Sequence, residues 1–198
     1  SSSAASDVYK RQGLQYIEIN LSVVQCMQEN LAERLTEIMK KYHVAPAQIN
    51  LEITETAAAH SDMLENNIKI LHKQGIEFSL DDYGSGYSNT DYLFRFPFRI
   101  VKIDKTILWE AFKNEKAMIA LRNTIRMIKE LGLEIVVEGV ENQEYVDYLT
   151  EQHCDYLQGY FYSKPIPDRD FLELLRRENA QYYAERFSKN ELSDIITT

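Results

Sequence analysis

Several short β-branched runs in this chain close on a carboxylate. Leu51-Glu52-Ile53-Thr54, Phe78-Ser79-Leu80-Asp81-Asp82 and Ile135-Val136-Val137-Glu138 each do so. Ile17-Glu18-Ile19-Asn20 closes on an amide, and Ile100-Val101-Lys102-Ile103 carries a lysine. A strand alternates its side chains between two faces. Glu52 and Thr54 therefore part from Leu51 and Ile53, and Asp81 parts from Phe78 and Leu80. Lys102, Glu138 and Asn20 separate from their apolar neighbours in the same way. One acid at a strand end is an ordinary helix cap. Glu52, Asp81, Asp82 and Glu138 with Asn20, each at the same place in its run, make a set. Burying several carboxylates together is costly unless cations neutralise them. Oxygen ligands without clustered His or Cys suit Mg²⁺ or Mn²⁺. The adjacent Asp81 and Asp82 can bridge two metals about 4 Å apart. Lys102 adds an ammonium for a phosphate oxygen or an attacking water. That chemistry is metal-assisted hydrolysis of a phosphate ester.

The elements that must position these groups alternate. The spacing predicts strands at Gln15–Asn20, Ile49–Thr54, Ile76–Asp81, Arg99–Ile103, Leu133–Glu138 and His153–Gln158. It predicts helices at Asn30–Tyr42, Asp62–Gln74, Glu115–Leu131, Gln143–Glu151 and Asp168–Arg177. Leu31, Leu35, Ile38 and Met39, and likewise Met118, Leu121, Ile125 and Ile128, form core-facing stripes at helical spacing. Gly75 and Gly132 have the position and type of C-cap glycines. Repeated strand–helix units give a parallel sheet, in the α/β class. A doubly wound nucleotide fold usually has a Gly-rich turn after its first strand, and none follows Asn20. A TIM-like (β/α) barrel is the expected architecture. Its strands would point polar residues inward at their C-terminal ends, where barrel enzymes build sites.

Composition sets the limits. With 44% hydrophobic and 27% charged residues in 198, the chain is globular rather than disordered. No apolar stretch approaches the roughly 20 residues of a membrane helix. A net charge of −9 repels phosphates, so a phosphate partner needs local cations or metals and a nucleic-acid polymer is not expected. Cys26 and Cys154 alone fit a reducing compartment, not a disulfide scaffold. Residues 1–12 read as a disordered or non-native leader, and residues 179–198 as a helical extension or tail. The four histidines, His43, His60, His72 and His153, show no ligand spacing and belong on the surface or in turns. Trp109, Tyr182 and Tyr183 read as packing residues.

Six motifs in register carry a resemblance. Asn20-Leu21-Ser22, Glu52-Ile53-Thr54-Glu55 and the run from Asp81 to Ser88 resemble the EAL-domain family. So do Val101-Lys102-Ile103-Asp104, Val137-Glu138-Gly139-Val140-Glu141 and Gln158-Gly159-Tyr160. The resemblance implies a TIM-like barrel and hydrolysis of cyclic-di-GMP to linear pGpG with two Mg²⁺ or Mn²⁺ ions. It implies Asn20, Glu52 and Asp81 as ligands of a first metal, with Asp81 bridging to a second held by Asp82. Glu138 would serve the second metal or the attacking water, Lys102 would orient that water, and Gln158 would contact substrate. Glu55 and Glu141 would brace the site, and Gly84 and Gly86 lie in a loop that couples metal binding to dimerisation. A homodimer, sensor or diguanylate-cyclase domains in a longer protein, and a cytoplasmic location, with a membrane tether outside the domain, complete the implied picture.

The chain departs from the pattern in one place. The family's Glu-Ala-Leu motif, whose Glu is a metal ligand, is absent, and the first strand here resembles the family's third. The expectation is a partial domain over residues 13–178, incomplete at about six of eight strands, poorly soluble and weakly active alone. A catalytically inactive cyclic-di-GMP-binding or signalling module is the competing expectation.

Overall fold

Parallel β-strands separated by helices make up most of the described chain. In the computed structural model, residues 16–58, 62–86, 90–167 and 169–177 are described. Residues 16–163 form one unit, and the described residues from 164 on belong to a second. The leader, the tail, His60, Tyr182 and Tyr183 lie outside the described residues.

The first unit begins with β1 (Ile17–Leu21), α1 (Val23–Cys26) and α2 (Leu31–Tyr42), followed by β2 (Ile49–Thr54). Then come α3 (Glu55–Ala58), α4 (Asp62–Lys73), β3 (Glu77–Tyr83), α5 (Tyr92–Arg95) and β4 (Ile100–Ile103). It ends with α6 (Lys105–Ala111), α7 (Glu115–Glu130), β5 (Glu134–Val137), α8 (Gln143–Glu151) and β6 (Tyr156–Leu157). In the second unit, residues 169–177 are helical. Among the described residues no helix is long and apolar enough to cross a membrane.

Local chemistry sets the boundaries. Ser22 and Gln25 form a reciprocal capping box at the start of α1. Asp104 accepts from Thr106 N at 2.8 Å to start α6, and Asn142 accepts from Tyr145 N at 2.9 Å to start α8. Gly75 (φ 94°) and Gly132 (φ 77°) end α4 and α7 in the left-handed conformation that glycine allows. Four helices went unpredicted, α1, α3, α5 and α6, together with a 3₁₀ turn at Pro46–Gln48. Each is too short to show a helical apolar period.

Among the described residues six strands pair in chain order, β1 to β6, all parallel, and no pairing between β1 and β6 closes them. One face is apolar and packs under the helices: Leu51, Ile53, Phe78, Leu80, Val101, Ile103, Ile135 and Val137 are all buried there. Ile17 and Ile19, on the same face of edge strand β1, are 47% and 41% exposed. The other face collects the polar side chains. Register sets Asn20 beside Glu52, Glu52 beside Ser79, and Thr54 beside Asp81.

Two strands differ most from expectation. β6 keeps two residues, because His153 turns through φ 56° and ends the preceding segment. β3 continues to Tyr83, and between Leu80 and Tyr83 its register against β4 shifts by one residue. Asp82 sits in that bulge at φ 56°.

Candidate functional site

The C-terminal ends of β2, β3, β4 and β5 converge on one lysine. Lys102 Nζ donates to Glu52 Oε1 at 2.5 Å. It lies 2.9 Å from Glu138 Oε1 and 3.3 Å from Asp81 Oδ1. The Lys102 side chain is 6% exposed and that of Glu52 is 5%. Period-two strand geometry explains the meeting: each of these residues occupies the polar face opposite the buried apolar one.

Adjacent strand residues ordinarily point apart, and the bulge removes that obstacle for Asp81 and Asp82. One carboxylate oxygen from each of Asp81, Asp82 and Glu138 lies within 4.8 Å of the others. Aspartate tolerates the left-handed conformation better than most residues, which suits it to this turn.

Charge in this cluster is unbalanced. Burial alone pulls the Lys102 ammonium down, but the Glu52 hydrogen bond and the charges of Asp81 and Glu138 outweigh it, so the group is held well above its ordinary value and stays charged. Burial raises the Glu138 carboxyl, against the opposing pull of Lys102. Burial, then Asp81 and Asp104, raise Asp82. Asp81 Oδ1 is buried and makes no hydrogen bond, so its contact with Lys102 is an ion pair only. A crowded, oxygen-only donor set with an orphaned buried oxygen fits a hard divalent cation. Oxygens of Asp81, Asp82 and Glu138 lie close enough together to hold one, and Glu52 is tied to the group through Lys102.

The other predicted residues divide. Glu55 Oε2 accepts from Gly84 N at 3.3 Å, tying α3 to the turn after β3. Gly84 needs its glycine (φ 91°), whereas a side chain at Gly86 would meet nothing. Asn20 neighbours Glu52 in register but is exposed on the edge strand. Gln158 is exposed past β6, where its backbone N donates to Val137 O at 2.9 Å and its O accepts from Val140 N. Glu141 is exposed beyond β5 and does not join the cluster. Positions 87–89 of the glycine-containing loop lie outside the described residues.

Sequence reasoning missed Glu18. Its side chain is half-buried and in hydrogen-bonding contact with Glu52. Burial, followed by the charge of Glu52, pushes its carboxyl up to about 7. The signal was present, because Glu18 shares the parity of Asn20.

Fold and site together define an α/β protein whose parallel strands gather carboxylates around a buried lysine at their C-terminal ends. The chain belongs to the EAL domain family, whose model matches residues 3–165. It is 34% identical over 145 residues to the cyclic di-GMP phosphodiesterase RocR of Pseudomonas aeruginosa, covering 72% of this chain and 37% of that protein. The solved structure of the PaMucR phosphodiesterase in complex with c-di-GMP superposes with a TM-score of 0.74 at 29% identity, over 79% of this chain and 64% of that one. The BlrP1 protein of Klebsiella pneumoniae, solved with manganese and cyclic-di-GMP, superposes with a TM-score of 0.70 at 25% identity, over 81% and 43%. The chain thus spans little more than a third of the RocR length.

Proposed function

We propose that this chain carries the cyclic-di-GMP phosphodiesterase centre of a signalling protein and opens one phosphodiester to give linear pGpG. The observation that carries the reading is the convergence of Asp81, Asp82 and Glu138 oxygens beside a buried, charged Lys102. Similarity to proteins solved with c-di-GMP and with manganese supports the substrate and the metal class.

Asn20, Glu52, Asp81, Asp82 and Glu138 would hold two Mg²⁺ or Mn²⁺ ions. Bound there, the ions would polarise the phosphoryl oxygens and acidify an attacking water. Glu138 would take the proton from that water. Lys102 holds Glu138 by an ion pair at 2.9 Å and presents positive charge where the phosphoryl group gains negative charge. Water oxygen bonds to phosphorus, one ribose oxygen leaves, and the abstracted proton ends on it.

The competing reading, a module that binds cyclic-di-GMP without cutting it, draws on Gln158 and Glu141, which are exposed and stand outside the carboxylate cluster. An assay with cyclic-di-GMP and Mn²⁺ decides. Production of pGpG, lost in Glu138→Gln and Lys102→Ala while nucleotide binding survives, supports the enzyme. Binding without product supports the module. Normal hydrolysis by both variants overturns the site assignment.

A further inference from the structure

Beneath the Asp81–Asp82–Glu138 group, the polar face of the sheet carries a second set of oxygen atoms. Register pairs Glu18 of β1 with Asn50 of β2, and Glu52 of β2 with Ser79 of β3. Asn50 lies two residues before Glu52, and Ser79 two before Asp81, so all four share the face of Lys102. Asn50 is 1% exposed, yet neither its Oδ1 nor its Nδ2 has a hydrogen-bond partner. Ser79 Oγ is equally buried and equally unpartnered. Buried polar groups are ordinarily satisfied, so these atoms point to something bound between them.

The neighbouring acids indicate its charge. The Glu18 carboxyl stands close enough to Glu52 for the charge of one to oppose that of the other, and a cation between them relieves that repulsion. Lys102 is shared between Glu52, Asp81 and Glu138, so its single charge does not balance Glu18 as well. Carboxylate, amide and hydroxyl oxygens are the ligand set of a hard cation.

We propose that Glu18, Glu52, Asn50 and Ser79 form an inner site for one hard divalent cation, distinct from the Asp81–Asp82–Glu138 group and sharing Glu52 with the proposed centre. The inner ion holds the edge strand β1 to β2 and β3 and fixes Glu52 from below.

The test titrates the full chain with Mn²⁺ alone, counting bound ions by calorimetry and by the Mn²⁺ paramagnetic resonance signal. Glu18→Gln and Asn50→Leu should each weaken one ion by about tenfold or more. Asp82→Asn should spare that ion and weaken another. Melting gives a second readout. Without metal, Glu18→Gln should melt above wild type, because the acid pair is relieved, and it should lose the share of the Mn²⁺ rise that Asp82→Asn keeps. Unchanged Mn²⁺ number and affinity in Glu18→Gln and Asn50→Leu overturns the inner site. If Asp82→Asn alone loses an ion, the inner site falls and the outer centre stands. If Glu18→Gln alone loses one, the inner site stands and the outer centre falls. A wild-type chain that binds no Mn²⁺ overturns both.

Discussion

Asp81 and Asp82 are consecutive in a strand, and yet one oxygen of each lies within 4.8 Å of the other and of Glu138. A regular strand would send them to opposite faces. The register shift between Leu80 and Tyr83 and the left-handed Asp82 backbone put both on the polar side. The double acid is therefore a product of backbone conformation as much as of residue type.

Substitution at Asp82 separates the two contributions. Asn adopts the left-handed conformation as readily as Asp, so Asp82→Asn should keep stability within a few tenths of a kcal/mol and lose divalent-cation affinity. Asp82→Val should cost about 1–3 kcal/mol besides, because a β-branched residue strains at φ 56°. Urea unfolding with Mn²⁺ titration checks both; equal stability of the two variants would show that the bulge relaxes freely.

Lys102 is the charge that lets the carboxylates coexist. Lys102→Met keeps the buried volume and leaves Glu52, Asp81 and Glu138 without their shared cation. Removing one partner of a buried ionic network costs about 3–5 kcal/mol. Saturating Mn²⁺ should return part of that loss by binding only the folded chain. Unfolding midpoints with and without metal measure it, and a larger midpoint drop in metal than in its absence would contradict the role.

Metal-free stability should fall with rising pH. The Glu18 carboxyl moves from 4.5 to about 7 in the folded chain. Between those values the folded chain retains a proton that the unfolded chain has released, so stability declines across the window and levels off above it. Asp82 and Glu138, raised as well, add slopes of the same sign. Glu18→Gln should flatten the profile toward the upper end of the window. Urea midpoints recorded across it give the slope; stability that climbs with pH there would place the carboxyl below its ordinary value.

Much of this is legible in the sequence. Ile49–Thr54 and Gln143–Glu151 keep the bounds that their patterns predict, and the polar parity of Glu52, Asp81, Lys102 and Glu138 brings them together. Gly75 and Gly132 end their helices as their type and position require. Elements of four to seven residues such as α3 and α6 left no periodicity to read. The left-handed turn at Asp82 had no signature, because aspartate also sits in regular strands. Glu18 was hidden by an assumption that only strand ends matter, whereas its longer side chain reaches Glu52 from one layer below.

Trp109 read as packing, and it also holds the turn that carries Glu138. Its Nε1 donates to Gly139 O at 2.8 Å. Gly139 takes φ 71°, and a Cβ there would stand 2.3 Å from Lys105 Cβ, so α6 presses directly on the turn. Glu138 N donates to Ile103 O at 3.0 Å, so the residue is pinned on both sides. Trp109→Phe keeps an aromatic ring and removes the donor. It should cost about 1 kcal/mol in urea unfolding. With Glu138 less firmly placed beside Lys102, the proposed turnover of cyclic-di-GMP should drop while KM changes little. The same fall in kcat should not appear in Trp109→His, whose ring can still donate toward Gly139 O. Equal kcat in Trp109→Phe and wild type would show that packing alone holds the turn.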